Sequence, residues 1–409
     1  MKRRLINFAN KHISIELIKV PIFLIIVFVI FFVNVARGYF RTADMISAEI
    51  FVTVILVVLC QGVASIISNF ICRKLEDGKK LTTDYEKLVK MYPSTEIMEY
   101  KNIKFPTIIL SQRTKSSRPF SIFIDDKLKK YRLPTQIKDI SDYLFKAHKF
   151  SMVYNNINIR LDDFIENDSK ITLVTSRTTY FDSLITNRAM DYFWKNGKTI
   201  REVYEPAPYL NSLLKSKLSN HLGFNGFIET SDNKFAFILR SRKLSIGKNT
   251  LGNSVSASLK SEYALNENFE FTKSHLKMAI CKEIENELGV PVSDIDFPDC
   301  IISFYRDIVE GGKPQFLFYI KINASSDDLR IKFYEKEKER KLSKSSKDKI
   351  TADGKTIYFF TLEDMKKSDI LPGKLVLHKD LAKKVGKKHF SLMPSAAASM
   401  IMLIKFFDM

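Results

Sequence analysis

Lys282-Glu283-Ile284-Glu285-Asn286-Glu287-Leu288-Gly289-Val290 is the stretch on which the reading of this 409-residue chain turns. Leu276, Ile280, Ile284 and Leu288 recur every four residues behind it, the stripe of a helix that buries one face. Thr272 is placed to cap the start of that helix. Gly289 suits the left-handed residue that ends it, and Pro291 blocks continuation. The spacing therefore predicts a helix over 273–288. Glu283 and Glu287 stand one turn apart on the adjacent face. Two carboxylates so placed can jointly hold a hard cation such as magnesium.

Strand signals surround the helix. Phe227-Ile228-Glu229 and the alternating Phe235-Ala236-Phe237-Ile238-Leu239 flank a Ser231-Asp232-Asn233 turn, and Val255 to Leu259 reads as a third strand. Downstream, Ile301 to Phe304 and Gln315 to Ile320 flank Glu310-Gly311-Gly312-Lys313, a hairpin signal, and Thr356 to Leu362 reads as a final strand. Lys336 to Lys349 (KEKERKLSKSSKDK) has no apolar face and reads as an exposed loop or helix end. Met393 to Phe407 is strongly apolar, but at about 15 residues it is too short to span a bilayer. It reads as a buried C-terminal or dimer-interface helix.

This order of strands, helix ending in glycine, and hairpin resembles the Nudix fold over about residues 220–375. The opening stretch resembles the tail of the Nudix box, Arg-Glu-aliphatic-x-Glu-Glu-x-Gly-aliphatic. Glu283 and Glu287 match two of the three box-helix carboxylates. Asn286 replaces the third, Lys282 stands for the usual arginine, Asn268 for the opening glycine and Ser274 for the upstream glutamate. The resemblance implies that Glu283 and Glu287 are the metal ligands, and the catalytic residues if the chain is hydrolytic. Asn286 removes charge where magnesium must be held, which argues against hydrolysis. It argues less against ligand binding, because the cleft itself is made by the sheet and its loops. On this reading no cofactor is required, and magnesium is the ion the site would take. The same glutamates also fit an ordinary solvated face of a Lys-rich helix.

Two apolar segments precede all of this. Val20 to Ala36 and Ile50 to Cys72 are uncharged, and about 20 apolar residues cross the hydrocarbon as a helix. Lys2, Arg3, Arg4 and Lys11 lie before the first segment, and Arg73, Lys74, Lys79 and Lys80 after the second. Positive-inside counting predicts a two-span hairpin with both termini cytoplasmic. The formal net charge of +19 suits anionic partners, either nucleotide phosphates or acidic headgroups. Cys60, Cys72, Cys281 and Cys300 have no paired spacing, so neither a disulfide framework nor a zinc site is indicated. Between the two regions, Ile103 to Leu110, Phe120 to Ile124 and Ile171 to Ser176 read as strands. Ile137 to Lys149 reads as a short helix, and Thr178 to Phe193 as the core of an α+β extension.

The expected fold class is thus α+β: a transmembrane hairpin at 17–72 behind a short cytoplasmic segment (1–16), a linker helix and α+β extension at 73–219, and an α/β/α Nudix-like domain at 220–409. That module order resembles the transmembrane-Nudix effectors of bacterial cyclic-oligonucleotide-based antiphage signalling (CBASS). The resemblance implies a multi-pass protein of the bacterial inner membrane, acting as a homo-oligomer. It would bind a cyclic oligonucleotide made by a cognate nucleotidyltransferase and disrupt the bilayer to cause abortive infection. Arg240, Arg242 and Lys243 would contact phosphates, with Tyr305 or Arg306 stacking or clamping. The alternative is a membrane-anchored, magnesium-dependent Nudix hydrolase of a nucleoside-diphosphate-linked or lipid pyrophosphate, with Glu285 or Glu310 as base. A scaffold whose Nudix-like domain binds only protein is a third reading.

Overall fold

The computed structural model describes residues 81–408, apart from 142–154, 169, 194–196, 241–246, 248, 296–299 and 343–353. Helix α1 (Tyr85–Met91) leads into β1 (Ile97–Tyr100) and β2 (Ile103–Gln112). After these come β3 (Ser121–Lys130), β4 (Ile157–Asn167), β5 (Lys170–Thr179) and the short α2 (Ile200–Tyr204). The chain continues as β6 (Gly223–Glu229), β7 (Phe235–Arg240), β8 (Leu251–Gly252), β9 (Val255–Ser258) and α3 (Lys273–Leu288). It then forms β10 (Ile301–Asp307), β11 (Lys313–Lys321), α4 (Ser326–Leu342), β12 (Gly354–Phe360), a small three-stranded sheet over 369–391, and α5 (Pro394–Asp408).

A nine-stranded sheet in the order β1-β2-β10-β11-β6-β7-β12 carries the fold, with β8 on β7 and β9 on β6. Its centre is a parallel pair, β6 with β11. Period-2 alternation assigns each central strand two buried faces. On one face Phe224, Ile228, Ala236, Ile238, Phe304, Phe316, Phe318 and Ile320 pack with Leu276, Ile280, Ile284 and Leu288 of α3. On the other, Phe227, Phe235, Phe237, Leu239, Ile302 and Leu317 pack with Ala397, Ile401, Leu403 and Ile404 of α5. Cover on both sides explains why every residue of β6 is buried and why its sequence does not alternate in polarity. The apolar segment at 393–407 is this second helical layer, fully formed as a core helix.

β1 and β2, from the segment read as an extension, continue this same sheet, because β2 pairs antiparallel with β10. The remaining three-stranded sheet, β3-β5-β4, closes over the core on the α3 side through Phe120, Ile122, Ile159, Leu161, Ile171 and Leu173.

Two glycines are demanded by this packing. Gly289 ends α3 at φ 72°, and a Cβ there would lie 2.7 Å from the Lys332 carbonyl of α4. Gly226 sits opposite Phe318 in the parallel pair, and a Cβ there would lie 1.9 Å from the ring. Gly226→Ala is expected to cost about 3 kcal/mol, the upper end for an overpacked core, read from the urea midpoint. Phe318→Leu in the same chain should recover part of the loss. A Gly226→Ala protein as stable as its parent would show that the ring can swing aside.

The expected fold class needs one correction. The described residues are a mixed α+β fold of several sheets, but none of their helices is long and apolar enough to cross a membrane. The longest, α4, has 17 residues and is strongly charged. The spans expected within 17–72 lie outside the described residues, so the two-span inner-membrane assignment is not supported and is dropped. The charged run from Lys336 is corrected in part as well. As far as Leu342 it continues α4 and is not wholly exposed, because Glu337 and Arg340 are buried and ion-paired at 3.1 Å.

Candidate functional site

The last two turns of α3 point Glu283 and Glu287 at β9 and the residues that follow it. Lys260, just beyond β9, donates from Nζ to Glu283 Oε1 at 2.6 Å. The Glu283 side chain is only 4% exposed and that of Lys260 25%, so this is a largely dry ion pair. Burial alone would pull the Lys260 ammonium below its ordinary pKa, but the charges of Glu283 and Glu287 outweigh it and hold the pKa above that value. Glu287 Oε2 accepts from the Ser256 backbone N–H at 3.3 Å. Asn286 donates to the Tyr263 hydroxyl at 3.3 Å, while Glu285 pairs with Lys282 at 2.9 Å on the outer face.

The two carboxylates read as metal ligands are therefore on one face, with an ammonium set against them. A divalent ion bound by both would have to displace Lys260 from Glu283. Among the described residues no group of three His, Cys, Asp or Glu side chains is placed to hold a metal. The residues present do not fit a resident magnesium ion.

Beside Glu287 opens a small cleft with a free volume of about 20 Å³. Ile238 and Arg240 of β7, Gly252, Asn253 and Ser256 line it from the sheet, Glu287 from α3, and Phe333 and Arg340 from α4. Arg240 ends β7 with its Cδ 3.6 Å from where a Gly252 side chain would begin. Ser256 donates to Asn225 Oδ1 at 2.6 Å, and Asn225 donates to the Tyr305 hydroxyl at 2.6 Å. A hydrogen-bonded thread thus runs from the cleft into the sheet. Asn253 is 3% exposed, yet neither its amide nitrogen nor its amide oxygen has a hydrogen-bond partner.

Of the residues expected to contact phosphate, Arg240 lines this cleft, while Arg242 and Lys243 lie outside the described residues. Tyr305 and Arg306 are not on it. Tyr305 is fully buried on the α5 side, hydrogen-bonded to Asn225 and near Ser399 at 3.3 Å, and burial drives its phenol pKa up. Arg306 donates from Nε to the Gly312 carbonyl and from Nη1 to the Asn211 carbonyl, both at 2.8 Å, so it ties down the hairpin turn. The stacking or clamping role expected of these two is corrected on that ground: both side chains are occupied inside the fold. Glu310, one of the two bases considered, is buried between Lys313 at 3.1 Å and Arg188 at 3.7 Å.

Asn253, Ser256, Lys260 and Arg340 were not singled out from sequence. Asn253 lies in the two-residue connection between β8 and β9, and Ser256 lies in β9, within the strand expected over 255–259 but with nothing to mark it as a site residue. Arg340 is hidden in a charged run that resembles a solvated face.

No protein-family model matches the chain, and no curated protein matches it. Among solved structures, the crystal structure of DR0079 from Deinococcus radiodurans aligns over 45% of this chain and 81% of that one. The identity is 12% and the TM-score 0.25, too remote to bear on function.

Proposed function

We propose that the protein is a nucleotide sensor: a degenerate Nudix-like domain that binds an anionic nucleotide, of the cyclic-oligonucleotide class, and does not hydrolyse it. The observation that carries the reading is the Lys260–Glu283 pair at 2.6 Å. A fixed ammonium neutralises the carboxylate that a hydrolase would use to hold magnesium and activate water. Asn286, hydrogen-bonded to Tyr263, supplies no third charge. Arg240 lines the cleft beside Glu287 with the neutral groups of Asn253 and Ser256, while Arg340 is held by Glu337. A net charge of +19 favours polyanionic ligands at the encounter stage. The choice of a cyclic oligonucleotide rests on the sequence resemblance to CBASS effectors, carried by the degenerate box and not by the membrane spans dropped above.

The test is calorimetric titration of the full-length protein with cyclic di- and trinucleotides and linear nucleoside diphosphates, in EDTA and in magnesium. The recovered ligand is then chromatographed. The expected result is binding of a cyclic species in EDTA within a few-fold of that in magnesium, with the ligand returned intact. Cleaved ligand, or binding that needs magnesium, would move the protein to the hydrolase reading. Arg240→Glu should weaken binding by tenfold or more, and unchanged affinity would remove Arg240 from the site.

A further inference from the structure

Six lysines cluster on the surface near the end of the chain. Lys374 lies in the strand Lys374–Val376 of the small sheet. Lys379, Lys383 and Lys384 lie on the short helix Lys379–Val385, and Lys387 and Lys388 connect it to the strand His389–Ser391. All six are exposed. The two strands pair, and the Leu377 N–H donates to the Lys388 carbonyl at 3.0 Å, so helix and strands form one small scaffold. Leu381, Ala382 and Val385 turn the apolar side of the helix into the core. Residues 374–389 contain one carboxylate, Asp380, against the six ammoniums. Among the described residues none of the six is ion-paired, whereas the exposed Lys90 and Lys367 lie 2.6 and 3.3 Å from Glu86 and Glu363. Lys383 and Lys384 complement the negative end of the helix. Lys387 lies over the Phe390 and Tyr358 rings at 5.0 and 5.6 Å. Neither effect accounts for Lys374, Lys379 or Lys388. Lys379 opens the helix at its positive end, one turn from Lys383, and is repelled by both.

We infer that this face binds the phosphate backbone of a nucleic acid, without regard to its sequence. Closely spaced, unpaired ammoniums attract a polyanion and release its counterions on contact. Base reading needs other equipment, and residues 369–391 contain no arginine to fork a guanine edge. They also expose no large apolar or aromatic side chain on which a base could stack. The same observation favours nucleic acid over a lipid surface. A helix lying on a bilayer sinks its apolar side into the acyl boundary, and here that side is already spent on the core. None of the six lysines lines the cleft beside Glu287. Binding at this face therefore stands or falls separately from the nucleotide sensing proposed above.

The test titrates full-length protein into two fluorescently labelled DNA duplexes of unrelated sequence, over a series of salt concentrations, with anisotropy as the readout. The two duplexes should bind within threefold of each other. The logarithm of affinity should fall against the logarithm of salt with a slope of about −4 to −5, as roughly five phosphate contacts require. Replacing Lys379, Lys383, Lys384 and Lys388 together by glutamine should weaken binding at least tenfold and make the slope shallower by about 3 to 4. The same four-charge change at the exposed Lys138, Lys170, Lys215 and Lys217 should alter affinity less than threefold. Should the first variant lose its cooperative melt, Lys374→Gln/Lys388→Gln, both outside the helix, replaces it, with a slope change of about 2. Equal losses in the patch and control variants would assign binding to net charge and overturn the inference. So would a parent that binds no duplex, or one that prefers one sequence more than tenfold. Binding to vesicles of phosphatidylcholine and phosphatidylserine but not to duplex would overturn it in favour of a lipid surface.

Discussion

Lys260→Met is expected to destabilise the protein by about 3–5 kcal/mol, the usual cost of stranding one member of a buried ion pair. Glu283 is inside the fold at 3% exposure, and Lys260 Nζ at 2.6 Å is its ion-pair partner. Methionine fills the same volume and removes only the charge. The carboxylate must then protonate, draw in water, or recruit another cation. The third route gives the experiment its meaning. With Lys260 gone, Glu283 and Glu287 are again two carboxylates one turn apart, and millimolar magnesium or manganese should restore part of the lost stability. Cation binding to the folded state alone stabilises it as RT ln(1 + [M]/Kd). The parent should show no such response, and Lys260→Met/Glu283→Gln should recover stability without metal. Urea midpoints with EDTA and with either cation decide it. A Lys260→Met protein that is neither destabilised nor rescued by metal would remove the ammonium from its assigned place.

Arg201→Met is the second large effect, expected to cost about 3–5 kcal/mol on the same reasoning. Arg201 is 2% exposed. Its guanidinium donates to Asp191 at 3.1 and 3.4 Å, to the Ile308 carbonyl at 2.8 Å and to the Val309 carbonyl at 2.7 Å. One side chain thus joins α2 to the turn between β10 and β11. Its loss leaves Asp191 and two carbonyls without their donor, although Asp191 still accepts from the Thr82 N–H at 2.6 Å. Arg201→Lys should recover less than half of the loss, because an ammonium cannot address two carbonyls and a carboxylate from one planar fork. Amide exchange at 308–312 should accelerate in both variants. A stability change under about 1 kcal/mol in Arg201→Met would show that the extension and the main sheet hold together without this residue.

The elements around α3 were legible because local signals agree with their tertiary setting. Thr272, the four-residue apolar stripe and Gly289 place the helix ends where the structure has them. The alternation in 235–239 and the paired glycines at 311 and 312 did the same for β7 and the β10–β11 turn. β4 was missed although Ile157, Ile159 and Leu161 alternate with polar residues. Asp162, Asp163 and Glu166 in the same strand lower its strand propensity. The assignment of β2 to the main sheet could not be read locally at all, since nothing in Ile103 to Gln112 names β10 as partner. The site was half legible for the same reason. Glu283 and Glu287 announce themselves by spacing, whereas Lys260 and Asn253 gain meaning only from what three-dimensional folding sets beside them or leaves unpaired. Tyr305 and Arg306 were misjudged because a strand residue's polarity does not reveal which layer covers it.

The pairing of β2 with β10 also dictates an order of events. Ser111 and Ser303, joined by a hydrogen bond, are 192 residues apart. At ribosomal rates of about 5–20 residues per second, β1 and β2 wait on the order of ten seconds or more for the strand they will pair with. The parallel β6–β11 pair imposes a second delay, as Asn225 reaches Gln315 across 90 residues. During both intervals the nascent chain carries open strand edges, the surfaces most prone to pairing with the wrong partner. A sheet assembled from such distant pieces cannot be completed segment by segment as it emerges. Its yield in the cell should therefore depend on holding chaperones more than its final stability suggests.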